Sequence, residues 1–120
     1  MKEYQMGAVE SRFADMIWEN EPISSAELAV RSQEQLTWKK STTYTVLKRL
    51  CDKGIFQNEK GTVTSLISRE EYYALQSEKF VEETFEGSLP AFLAAFTARK
   101  KLSEEEVAQL RRMVAEYGEE

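Results

Sequence analysis

Residues 38–54, WKKSTTYTVLKRLCDKG, concentrate the side chains most able to act on another molecule. The hydroxyls of Ser41, Thr42, Tyr44 and Thr45 stand among the ammonium groups of Lys39, Lys40 and Lys48 and the guanidinium of Arg49. Such groups hydrogen-bond to base edges and phosphate oxygens, so the chemistry they offer is recognition of nucleic acid rather than bond cleavage. The charge distribution agrees. The chain carries 16 Lys and Arg against 21 Asp and Glu, a net −5, yet residues 38–60 hold six basic side chains (Lys39, Lys40, Lys48, Arg49, Lys53, Lys60) and two acidic ones. Residues 1–68 balance at nine against nine, whereas residues 69–120 carry seven against twelve. A phosphate footprint requires positive charge that is local, not global.

Other chemistry is poorly represented. There is no histidine and a single cysteine, Cys51. That removes Ser/His and Cys/His catalysis, the common zinc sites and any internal disulfide. Carboxylates are numerous, but runs such as Glu104, Glu105 and Glu106 fall at helix starts, where complementing the helix dipole is sufficient reason for them. The expectation is a protein that is not an enzyme and takes no metal or cofactor. The apolar run of residues 89–96 falls well short of the roughly 18 residues a membrane span needs, and residues 1–10 lack the core of a signal peptide. A soluble cytoplasmic protein without a membrane partner is expected.

The elements that must position the polar stretch follow from periodicity. Val9, Phe13, Met16 and Ile17 recur at helical spacing, giving a first helix over residues 8–20 that ends at Glu21-Pro22. Ser24 and Glu27 form a capping-box pattern that opens a second helix over residues 25–36. In the third helix, at about 100° per residue from Thr43, the side chains of Val46, Leu47, Leu50 and Cys51 share a buried face. Ser41, Tyr44, Thr45 and Lys48 point the other way, flanked by Thr42 and Arg49, and Gly54 ends the helix. Residues 55–59 and 62–67 are β-prone and joined by Lys60-Gly61, a small hairpin.

Three helices and a β-ribbon make a winged helix-turn-helix, whose third helix enters the major groove while the ribbon lies over the backbone. Three more helices follow, one opened by the capping box at Ser68–Glu71 and ending near Gly87, one over residues 89–99 and one from Ser103 to Tyr117. They are rich in Phe and Leu but too short to bury Phe80, Phe85, Leu89, Phe92, Leu93 and Phe96 among themselves. With Val107, Leu110 and Val114 these residues are expected to form a dimer interface. The fold class is mainly α with a small β-hairpin: a winged-helix DNA-binding domain over residues 1–68 and a helical dimerisation domain over residues 69–120.

Five blocks in order now resemble one family. GAVESRFADMIWENEP, STTYTVLKRLCDKG, LISREEY, GSLPAFLAAF and LSEEEVAQLRRMV are similar to the successive blocks of the penicillinase-repressor family (BlaI, MecI and CopY type) of bacterial transcriptional repressors. The resemblance implies a homodimer that binds a pseudo-palindromic double-stranded DNA operator. It also implies base contacts from Ser41, Thr42, Tyr44, Thr45 and Lys48, and phosphate contacts from Lys39, Lys40 and Arg49. The chain departs from the family in places. Lys39-Lys40 stands where many members have Ser-Pro, and the short wing carries only Lys60 as a basic residue. A sensor metalloprotease is a partner of cleaved members, which carry Asn-Phe in the short apolar helix; Ala95-Phe96 here counts against cleavage at that bond. The cysteine-rich tail of the copper-responsive branch is missing, and Cys51 alone makes no copper site.

Alternatives stand beside these readings. The winged helix suits protein–protein interaction without an operator, although an acidic or apolar outward face would fit that role better. Tyr44 suits a base contact or packing against the wing. Trp18 and Trp38 suit the core better than base stacking, and Cys51 suits packing better than a redox switch. The Phe80 to Phe96 cluster suits a dimer core or an effector pocket.

Overall fold

The computed structural model describes residues 6–118. Its elements are α1 (Ala8–Asn20), β1 (Ile23–Ser24), α2 (Ser25–Leu36), α3 (Lys40–Asp52), β2 (Phe56–Glu59), β3 (Thr62–Ser65), α4 (Arg69–Phe85), α5 (Leu89–Arg99) and α6 (Glu104–Tyr117). The chain divides into two compact units, Met1–Ser77 and Glu78–Glu120, and α4 contributes residues to both.

In the first unit, the apolar stripes of α1, α2 and α3 meet around Phe13, Ile17, Leu28, Leu47 and Leu50, and Phe56 and Val63 of the sheet, with Ile55 just before β2, close over them. Val9, placed on the α1 stripe by spacing, is instead exposed, because it falls in the first turn beyond the reach of the core. Trp18 packs on Phe56 and Tyr72 at 5.2 and 5.6 Å between ring centroids and donates its indole N–H to the Ile67 carbonyl at 3.1 Å. Trp38 packs on Phe13 at 5.2 Å. Both tryptophans therefore serve the packing of this unit.

Local signals explain the boundaries of α2 and α3. Ser24 caps α2 by accepting the Glu27 N–H at 3.0 Å. The reciprocal half of the expected box is not formed, since the Glu27 carboxylate accepts instead from Arg31 one turn on. Thr37, in the left-handed region at φ 57°, reverses the chain so that only three residues separate α2 from α3. At the other end of α3, the Ile55 N–H donates to the Leu50 carbonyl and the Gly54 N–H to the Cys51 carbonyl, the paired bonds of a Schellman motif. Gly54 takes φ 85° there, a region that a side chain with a Cβ enters only at a penalty.

The sheet has three strands in the order β1-β3-β2, all antiparallel, where sequence reading expected a hairpin alone. The two residues of β1 are too few to leave a periodic signal; pairing of Ile23 with Val63 and of Ser24 with Thr62 reveals them. β2 and β3 are shorter than the β-prone runs because the ladder stops at Phe56 opposite Ser65. Lys60 and Gly61, at φ 52° and 87°, form the two-residue turn with both central φ angles positive that suits the twist of a hairpin. The Ser25 N–H holds the turn by donating to the Gly61 carbonyl at 2.8 Å, so this wing is short and tied to the start of α2.

In the second unit, Ser88 caps α5 through the Ala91 N–H, with Pro90 in the first turn. Ser103 caps α6 with a complete capping box to Glu106. Neither α5 nor α6 contains a buried residue. Among the described residues, no helix is long and apolar enough to cross a membrane.

Candidate nucleic-acid interface

α3 presents the face that its spacing predicts. Thr43, Val46, Leu47 and Leu50 are buried, while Ser41, Thr42, Thr45 and Lys48 are exposed. Lys39 is the N-cap residue and Lys40 opens the helix, so two cations stand at its N-terminal end, both exposed. The Lys40 ammonium lies 5.9 Å from the centre of the Tyr44 ring. Tyr44 is half-buried against the core cluster, intermediate between the two roles open to it. The Thr45 hydroxyl donates to the Ser41 carbonyl at 2.9 Å, leaving its oxygen lone pairs and methyl group directed outward.

Towards the C-terminal half of α3, the cations have partners. Lys48 pairs with Asp52 at 3.1 Å, one turn along the same exposed face. Such an exposed pair contributes about 0.3–0.5 kcal/mol and exchanges readily for another anion. Arg49 pairs with Glu10 of α1 at 2.6 Å, with side-chain exposures of 52% and 18%. Glu10 also accepts the Gly7 N–H at 3.2 Å. Burial pushes the Glu10 pKa up, but the hydrogen bonds from Arg49 and Gly7 and the charges of Lys53 and Arg49 outweigh it, and the net shift is downward. Glu10 was not singled out from the sequence. It lies 39 residues from Arg49, and no local pattern connects them.

The wing lies on the Tyr44 side. Lys60 is exposed at the turn, and Asn58 accepts the Gly61 N–H at 3.0 Å. Tyr44, Leu47, Lys48, Cys51 and Asn58 line a cleft between α3 and the hairpin. Cys51, expected on the buried face, is only half-buried, because it sits at the edge of that face where the cleft opens. Burial and then Asp52 raise its thiol pKa, against a smaller opposing effect of Lys48, which makes it a sluggish nucleophile. Asn58 is a second residue that spacing did not reveal, since only the hairpin turn brings it to α3. Among the described residues, no group of three or more His, Cys, Asp or Glu is arranged to hold a metal ion.

A polar, locally basic third helix beside a β-ribbon is thus in place, and the sequence of the whole chain decides its family. A sequence model of the penicillinase repressor family matches residues 6–116. The chain belongs to the penicillinase repressor family. Similar proteins include the methicillin resistance regulatory protein MecI of Staphylococcus aureus, 24% identical over 117 residues that cover 94% of this chain and 95% of that protein. The penicillinase repressor of Bacillus licheniformis is 27% identical over 117 residues, covering 94% and 91%. The MecI protein of Mammaliicoccus sciuri is 23% identical with 94% and 95% coverage. These relatives are regulatory repressors, not enzymes.

In this penicillinase-repressor family member, the residues expected at a dimer interface are gathered but only partly covered: Phe85, Phe92, Leu93, Val107 and Leu110 are half-buried, and the others are exposed. Phe80, Phe85 and Phe92 form a triangle of edge-on rings at 5.7 to 6.0 Å, and Phe92 reaches Phe96 at 6.1 Å. Phe92, Leu93, Phe96 and Leu110 line one apolar groove; Val107, Leu110 and Val114 line another. Phe80 is 50% exposed, Leu89 56% and Val114 70%. Ala95-Phe96 lies inside α5, where the peptide bond is held within a helical turn.

Proposed function

We propose that this protein is a transcriptional repressor that acts in the cytoplasm as a homodimer on a pseudo-palindromic operator, with α3 of each protomer in a major groove. The observation that carries the reading is the outward face of α3. Ser41, Thr42 and Thr45 are exposed together beside Lys39, Lys40 and Lys48, on a helix whose opposite face is buried. Family membership supports repression as the outcome.

In this reading the hydroxyls of Ser41, Thr42 and Thr45, with Tyr44 at the edge, meet base edges, while Lys39, Lys40 and Lys48 meet phosphates. Lys48 leaves Asp52 for a phosphate because its exposed pair is weak. Lys60 reaches the backbone through its side chain alone, since the turn that carries it is tied to Ser25. The uncovered Phe and Leu side chains of Glu78–Glu120 support pairing of two protomers, which sets two half-sites about 34–36 Å apart or at a multiple of that distance. Cleavage by a sensor metalloprotease at Ala95-Phe96 is not part of the proposal.

The test is selection of bound duplexes from a random pool, followed by titration of the winner at two salt concentrations. A two-fold symmetric consensus bound at least about a hundredfold more tightly than random DNA, with a steep salt dependence, is expected. No enrichment, with binding at the non-specific level, would overturn operator recognition and leave a protein-interaction module.

A further inference from the structure

The six basic residues of 38–60 are not equivalent in the folded chain. Lys39, Lys40 and Lys60 have no ion-pair partner among the described residues, and Lys48 has an exposed one. Arg49 differs. Its partner Glu10 is half-buried, belongs to another helix, and accepts a second hydrogen bond from Gly7. Lys53 also stands near enough to act on the Glu10 charge. Recruiting Arg49 to a phosphate leaves this half-buried carboxylate without its guanidinium, a larger penalty than the more exposed Lys48–Asp52 pair imposes. Thr42 and Arg49 share one flank of α3, so the flank towards α1 carries a hydroxyl at its N-terminal end and a neutralised pair at its C-terminal end.

We infer that Glu10 is a positioning residue that keeps Arg49 off the DNA backbone, so that the pair adds no phosphate contact and the first two turns of α3 do the reading. The inference rests on the DNA-binding reading above. Its consequence is general: one more phosphate contact would strengthen binding to every duplex alike, raising affinity and salt dependence without changing the preference for the operator over random DNA.

The experiment compares full-length wild type, Glu10→Gln, and the double variant Glu10→Gln/Arg49→Gln on a random duplex and on the selected operator across a salt series. Gln at position 10 keeps an acceptor for the Gly7 N–H, and Gln at position 49 keeps a polar partner for it; thermal unfolding of each protein verifies that it is folded. Glu10→Gln is expected to steepen the salt slope on random DNA and on the operator by about 0.9, to tighten binding to both by about eightfold at 0.1 M salt, and to leave the operator-to-random ratio unchanged. The double variant is expected to return to the wild-type slope. An unchanged slope for Glu10→Gln would overturn the inference, as would a double-variant slope about 0.9 shallower than wild type, because Arg49 would then already contact phosphate in the native protein. Non-specific binding is enough to read these slopes, so a failure to select any operator refutes the proposed function separately; failure to bind any duplex refutes both.

Discussion

At the scale of single residues, the proposed DNA complex divides the outward face of α3 into side chains that hold DNA and side chains that discriminate between sequences. Lys48 carries charge without shape, so Lys48→Ala is expected to weaken binding to all duplexes and to reduce the salt slope by about 0.9. Thr45 keeps lone pairs and a methyl group directed outward, so Thr45→Ala is expected to reorder operator variants, by about 1–3 kcal/mol at the bases it meets. Binding curves on an operator panel separate the two; equal losses on every duplex for both variants would remove the division. Glu10 adds a pH signature. Its folded pKa is held below the usual glutamate value, so its pairing stabilises the fold above that usual value, and the contribution is lost as pH falls through the lower folded value. The thermal-midpoint difference between wild type and Glu10→Gln should therefore be full at pH 6 and shrink towards pH 3.

At the scale of elements, caps and turns were legible because their chemistry is local. The limits of α1, α2, α5 and α6 follow from stripes, caps and breakers in the chain itself. β1 was not legible, since two residues acquire strand character only by pairing with β3. The end of α3 rests on Gly54, whose φ of 85° and Schellman bonds turn the chain into the sheet. Gly54→Ala forces a Cβ into the left-handed region and is expected to cost about 1–2 kcal/mol of stability, measured by urea unfolding. A loss below a few tenths would show that the turn relaxes without strain.

For the whole molecule, the weight falls on the apolar side chains that one chain leaves uncovered. Phe96 and Val114 are 44% and 70% exposed, so charging both is expected to leave the single chain folded. Phe96→Glu/Val114→Glu is predicted to sediment as a monomer, to retain affinity for a half-site, and to lose most of its affinity for the two-fold operator. A dimer with native operator affinity would place the interface elsewhere.

Much of the candidate site could be read from the chain alone, because a helix of known period places Ser41, Thr45 and Lys48 on one face whatever surrounds it. Local positive charge within an acidic protein was equally visible. Tertiary structure decided which of those charges stand free. Arg49 meets Glu10 only because α1 packs beside α3, and Tyr44 and Cys51 are half-covered at the cleft formed with the hairpin. Periodicity assigns a side chain to a face; only packing brings partners 39 residues apart within 2.6 Å and determines whether a cation remains available to a phosphate.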